Sequence, residues 1–113
     1  MKPKKIERGQ IWWINLDPSV GAEIRKERPC VVLSNNTVNR VRRTPVVVPL
    51  SASPESAPPV VVPVPSAGKD SVAVIDQIRA VDKSRFTRSS GRVSETDLEL
   101  IANSGLEVLD LLG

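Results

Sequence analysis

The chain has 113 residues, 40% of them apolar, enough for one hydrophobic core and too many for a disordered chain. Histidine is absent and Cys30 is the single cysteine, which excludes Ser-His-Asp triads, histidine-ligated zinc, internal disulfides and cysteine-rich metal sites. The net charge is +3, but residues 93–113 hold five acids and no base, so the remainder is a basic body with ten Arg and six Lys; the planar guanidinium fork suits phosphate, and an anionic partner such as nucleic acid is plausible.

The start, Met1 to Ile6, is basic but lacks the apolar stretch of a signal peptide. No apolar run approaches the roughly 20 residues of a membrane span. The expectation is therefore one cytoplasmic domain over 1–113, with 1–5 as a basic N-terminal extension. Residues 9–16, GQIWWINL, alternate in part and read as a strand. Adjacent strand residues face opposite ways, so one of Trp12 and Trp13 is core and the other partly exposed. An exposed tryptophan can stack a base or bury at a dimer interface. Asp17-Pro18 ends the strand, and a polar stretch with five charges runs from Ser19 to Arg28.

After Pro29, residues 30–34 form a β-branched strand in which Cys30 reads as a small buried residue, with no histidine to activate it. Asn35 or Asn36 can cap a short helical turn. Asn39, Arg40, Arg42 and Arg43 make a basic loop that either holds phosphates or is simply solvated. Residues 45–50 and 60–64 are the third and fourth strands, separated by a loop of small residues and prolines. Prolines 49, 63 and 65 fit strand ends or edges. Residues 71–79 read as a fifth strand with Gln77 and Arg79 on one face. Residues 82–86 form a turn. The period then changes: Ser94 with Asp97 three residues on resembles a capping box. Leu98, Ile101, Val108, Leu109 and Leu112 share a helical face, which Gly105 interrupts. Many short strands followed by one helix predict a mainly β fold with α, a small, strongly bent antiparallel sheet or barrel with the C-terminal helix packed on it.

No Gly-rich phosphate loop, paired cysteine motif or nucleophile elbow is present. One reaction needs neither histidine nor metal. RNA carries its own nucleophile, the 2′-hydroxyl, beside each phosphate, and an enzyme need only align it, stabilise charge and move protons.

Five blocks then stand out: RGQIWWINLDP at 8–18, GAE followed by RP at 21–29, VVLSN at 31–35, VVVPLS at 46–51 and DQIRAVDKSR at 76–85. In order and spacing they resemble the MazF/PemK (Kid) toxin family over roughly residues 6–113. The resemblance implies a twisted SH3-like β-barrel of the MazF/CcdB type that acts as a homodimer. It implies a ribosome-independent endoribonuclease, or mRNA interferase, of a type II toxin–antitoxin module. Such an enzyme cuts single-stranded RNA at short sequences without metal or other cofactor, leaving 2′,3′-cyclic phosphate and 5′-hydroxyl ends. A MazE-like antitoxin would block the RNA groove with an acidic tail.

Residue by residue, the resemblance assigns Arg28 to the pentavalent phosphate and to proton donation toward the leaving oxygen. Ser51, where the family usually has threonine, would hydrogen-bond the scissile phosphate. Glu23 would activate the 2′-hydroxyl or orient Arg28. For Gln77 the resemblance implies a role in the RNA groove; Arg79, Trp13, Asn39 and Arg40 are RNA contacts proposed from the residues alone, against a solvated sheet face for Arg79, core packing for Trp13 and a solvated loop for the other two. Ile24, Arg25 and Lys26 depart from the family's glutamine and glycine, and two of them add charges that can touch RNA. Two other classes fit the same barrel: a non-catalytic module binding nucleic acid or a protein partner, and a gyrase-directed toxin. Arg28, the hydroxyl at 51 and Gln77 argue against the first, and the tryptophan, Arg-Pro and Asp-Gln-Ile-Arg blocks against the second.

Overall fold

Runs of β-branched and aromatic residues become strands here because their stiff side chains pack well on a pleated surface. The computed structural model describes residues 4–24, 26–53 and 55–111; Arg25 and Leu112, singled out above, and residues 1–3 of the basic extension lie outside them. Its strands are β1 (Gln10–Asn15), β2 (Glu27–Val32), β3 (Val46–Ala52), β4 (Val61–Pro63), β5 (Ser71–Val74), β6 (Arg79–Ala80) and β7 (Phe86–Arg92). The helices are α1 (Asn36–Val41) and α2 (Glu95–Val108). The sheet runs β4-β5-β3-β2-β1-β7, every pairing antiparallel, with β6 also on β3. This is the bent antiparallel sheet with a C-terminal helix that the sequence implies. The sheet is open: β4 and β7 are its edges and do not pair among the described residues.

Side-chain alternation divides the apolar residues between two faces. Ile11, Val31, Val48 and Leu50 join Ile101 of α2 in one core. Trp12, Ile14, Cys30, Val32 and Val47 join Ile6, Leu16 and Phe86 in the other. Trp12 meets Phe86 edge-on at 5.7 Å between centroids. The expected split of the tryptophan pair is seen, with Trp12 buried and Trp13 half-buried.

Three elements differ from expectation. First, β2 starts at Glu27, so Pro29 lies inside the strand, opposite Trp13. Second, the fifth strand is broken. Leu50 pairs with Ala73 and Val47 with Arg79, so five residues face two on β3. The surplus is taken up by a 3₁₀ turn at Ile75–Gln77, opposite Pro49, which has no N–H to offer a ladder. Gln77 and Arg79 therefore do not share a strand face. Third, β7 has no counterpart in the apolar pattern. Only Phe86 of its seven residues is buried, because an edge strand with one partner needs no alternating apolar face.

At the helices the capping chemistry is legible. Asn35 caps α1 by accepting from Val38 N–H at 2.9 Å. Ser94 caps α2 by accepting from Asp97 N–H at 3.1 Å. The Asp97 carboxylate does not return the favour to Ser94; it is buried and accepts from the N–H (2.9 Å) and hydroxyl of Ser66. Leu109, assigned to the core face of the helix, is half exposed at the C-cap.

Candidate active site

Strand register assembles the site. Cys30 pairs with Pro49 across β2 and β3; two residues further along each strand lie Arg28 and Ser51, which alternation places on the same face. Trp13, Pro29 and Leu50 lie on the opposite face. Both sets line a cleft of about 240 Å³ at the start of β2 and the end of β3, together with Glu27, Ala52 and Ser71. Arg28 is exposed and Ser51 half-buried. Trp13 carries the Arg88 guanidinium 4.8 Å from its ring centroid, a cation–π contact that holds the indole in place. A guanidinium and a hydroxyl that line one cleft can bind one phosphate through charge-assisted hydrogen bonds.

The carboxylate in this cleft is Glu27, not Glu23. Glu23 is exposed and turns its side chain onto its own loop, accepting from Val20 N–H at 2.7 Å. Glu27 accepts from the Thr87 hydroxyl at 2.8 Å, and that hydroxyl also lies 2.9 Å from the Trp13 carbonyl. Glu27 was missed because the strand was expected to begin after Pro29. A strand running through Pro29 places Glu27 on the same face as that proline, and the paired Trp13, by alternation.

The other candidates are spread more widely. Gln77 accepts from Ile24 N–H at 3.5 Å and so touches the 19–26 loop rather than the cleft. Arg79 is half-buried on β6. Lys26 is exposed, with a left-handed backbone at φ 65°; its N–H reaches the Asp17 carboxylate at 3.0 Å and its carbonyl accepts from Leu16. Asn39 is corrected from an RNA contact to a structural residue. It is 2% exposed, and its amide donates to the Ser34 carbonyl at 2.9 Å while its oxygen accepts from the Ser34 hydroxyl. Arg40 is exposed and lines a separate cavity that shares no residue with the cleft.

Burial pushes the Cys30 thiol up to about 12, with the Arg79 charge opposing weakly. It stays protonated at neutral pH and is no nucleophile. Asp82 is held well below the usual carboxylate range, first by hydrogen bonds from Ser84 and then by Arg43. Arg43 grips it with two N–H groups at 3.3 and 3.2 Å, leaving less of the basic loop for a ligand. Among the described residues no three His, Cys, Asp or Glu side chains gather to ligate a metal, and no helix is long and apolar enough to cross a membrane.

An open antiparallel sheet with one C-terminal helix and a cleft lined by Arg28, Glu27, Ser51 and Ser71 defines a small, mainly β protein. Residues 7–108 match the family model for PemK-like, MazF-like toxins of type II toxin–antitoxin systems, and the chain belongs to that family. It is 34% identical over 102 residues to endoribonuclease MazF9 of Mycobacterium tuberculosis, covering 82% of this chain and 86% of that protein. It is 36% identical over 96 residues to endoribonuclease PemK of Escherichia coli, covering 80% and 72%. In three dimensions it resembles an endoribonuclease in complex with its cognate antitoxin from a mycobacterial species, with a TM-score of 0.77 at 21% identity over 96% of this chain and 98% of that one.

Proposed function

We propose that this protein is a sequence-specific, metal-independent endoribonuclease toxin that cuts single-stranded mRNA and is neutralised by a MazE-like antitoxin in the cytoplasm. The observation that carries the reading is that Arg28, Ser51 and Trp13 line one cleft. A scissile phosphate seated there receives the Arg28 guanidinium and the Ser51 hydroxyl, while the Trp13 indole offers a stacking surface for a neighbouring base. The 2′-oxygen attacks phosphorus, the bond to the 5′-oxygen breaks, and a 2′,3′-cyclic phosphate and a 5′-hydroxyl result. One proton leaves the 2′-hydroxyl and one reaches the departing 5′-oxygen. Arg28 stabilises the charge of the pentavalent state, where preorganised donors have most effect. Glu27 is the carboxylate placed to take the 2′-proton; Glu23 serves only if its loop turns inward.

A homodimer fits the same reading. Leu100, Leu106, Leu109 and Leu111 are exposed on or beside α2, an apolar surface that a second protomer would cover.

The test is cleavage of a long single-stranded RNA in EDTA, with end-group analysis. Wild type is expected to cut at recurring short sites and leave cyclic phosphates. Arg28→Ala is expected to lose activity by a factor on the order of 10²–10³. Glu27→Gln should lower the rate more than Glu23→Gln does. No cleavage by folded wild type across several RNAs overturns the nuclease and leaves a binding module.

A further inference from the structure

A second cavity, about 890 Å³, is lined by residues just beyond the end of β2 and by the N-terminal segment. The cleft takes its residues from the start of β2 and the end of β3, so about 13 Å of strand, four residues at 3.3 Å each, separates Arg28 from Val32 on the way to it. Its walls carry Lys4, Lys5, Arg40 and Lys83 against one carboxylate, Glu7. That carboxylate is shared: Lys5 lies 3.7 Å from it and Arg92, outside the cavity lining, 3.6 Å. Lys4, Arg40 and Lys83 form no ion pair among the described residues. The Lys4 ammonium donates to the Lys83 carbonyl at 2.8 Å, which draws the N-terminal segment onto the 3₁₀ turn at Lys83–Arg85. Cations from three distant segments are thus held around one space, where an anion would relieve their mutual repulsion.

The lining also says which anion. Ile6 is the one apolar residue of the lining, and it is 5% exposed. Four cations against one shared carboxylate suit a ligand that carries negative charge at regular intervals and presents no side chains to be pocketed. A chain of phosphates is such a ligand.

We propose that this cavity holds backbone phosphates of the RNA several nucleotides from the bond cut in the cleft, with Lys4, Arg40 and Lys83 gripping the flank without reading its bases. The proposal rests on the endoribonuclease reading for its substrate, but its binding test requires no cleavage.

The test compares wild type with Lys4→Gln/Arg40→Gln/Lys83→Gln, whose unchanged circular dichroism and melting would verify the fold. Two RNAs share a cut site blocked by a 2′-deoxy nucleotide, one ending at the site and one with flanks on both sides. By fluorescence anisotropy the variant is expected to lose roughly tenfold in affinity for the flanked RNA, and its salt slope to fall by about 2, at about 0.7 for each single-strand phosphate contact. With the 2′-hydroxyl restored at the cut site, the ratio of kcat/KM values for flanked over short RNA should fall similarly. Equal affinity and slope for the two proteins overturn the proposal. So does an equal loss on short and flanked RNA, which would place these residues at the cleft. Loss of poly-glutamate binding with RNA binding intact would make the cavity a peptide site and overturn it too. If wild type cuts no RNA, the nuclease reading fails while the anisotropy data still decide the cavity.

Discussion

At Lys26 the backbone adopts a conformation that L-residues avoid, at φ 65°, in the stretch where the family resemblance leads one to look for glycine. The hydrogen bonds from Lys26 N–H to Asp17 and from Leu16 N–H to the Lys26 carbonyl hold it there. A left-handed L-residue costs about 1–2 kcal/mol, and glycine loses roughly 0.5–1 kcal/mol more chain entropy on folding. Lys26→Gly should therefore raise stability by about 0.5–1 kcal/mol, read as a higher urea midpoint with unchanged slope. If the ammonium touches RNA, the same variant binds RNA more weakly, so the two measurements separate backbone from charge. Asn39 teaches the complementary lesson. An asparagine among arginines looks like a phosphate contact, yet its amide closes the Ser34 turn. Buried polar groups are taken by their nearest partners, and one-dimensional spacing does not reveal which those are.

Elements followed from the sequence wherever one residue's local chemistry was decisive. Asn35 and Ser94 cap their helices because a short oxygen-bearing side chain reaches the free N–H groups of the first turn. Gly105 is the weak point of α2. It is buried, yet a Cβ built there meets nothing within 4 Å. Gly105→Ala should stabilise the protein by up to about 1 kcal/mol, checked by thermal melting; a lower melting temperature would mean that the helix packs closer than this geometry allows. Elements were missed where neighbours outweighed local preference. β7 is polar and exposed, and it exists because β1 offers it an edge. The break at Ile75–Gln77 follows from Pro49 on the facing strand, far away in sequence.

Over the whole molecule, charge is segregated: residues 93–113 hold five acids and no base, while Lys4, Lys5, Arg40 and Lys83 gather around one cavity. An acidic antitoxin tail and RNA would compete for the same basic surfaces. Screening shortens the electrostatic range from about 10 Å at 0.1 M salt to 3 Å at 1 M. Antitoxin inhibition should therefore need more antitoxin as salt rises; titration midpoints that stay constant between two salt levels would count against an electrostatic mode.

By itself the sequence determined the fold class, the strand-forming runs, both helix caps, the buried state of Cys30 and the family, because each depends on local side-chain chemistry or on motifs in fixed order. It also singled out Arg28, Ser51 and Trp13, which the structure gathers in one cleft. Only the tertiary structure decided that Glu27 rather than Glu23 enters that cleft, that Gln77 leaves it, and that Lys4 and Lys83 meet Arg40 across 79 residues of chain. Those are questions of register and of which segment packs on which, and a register shift of one residue turns every side chain to the opposite face.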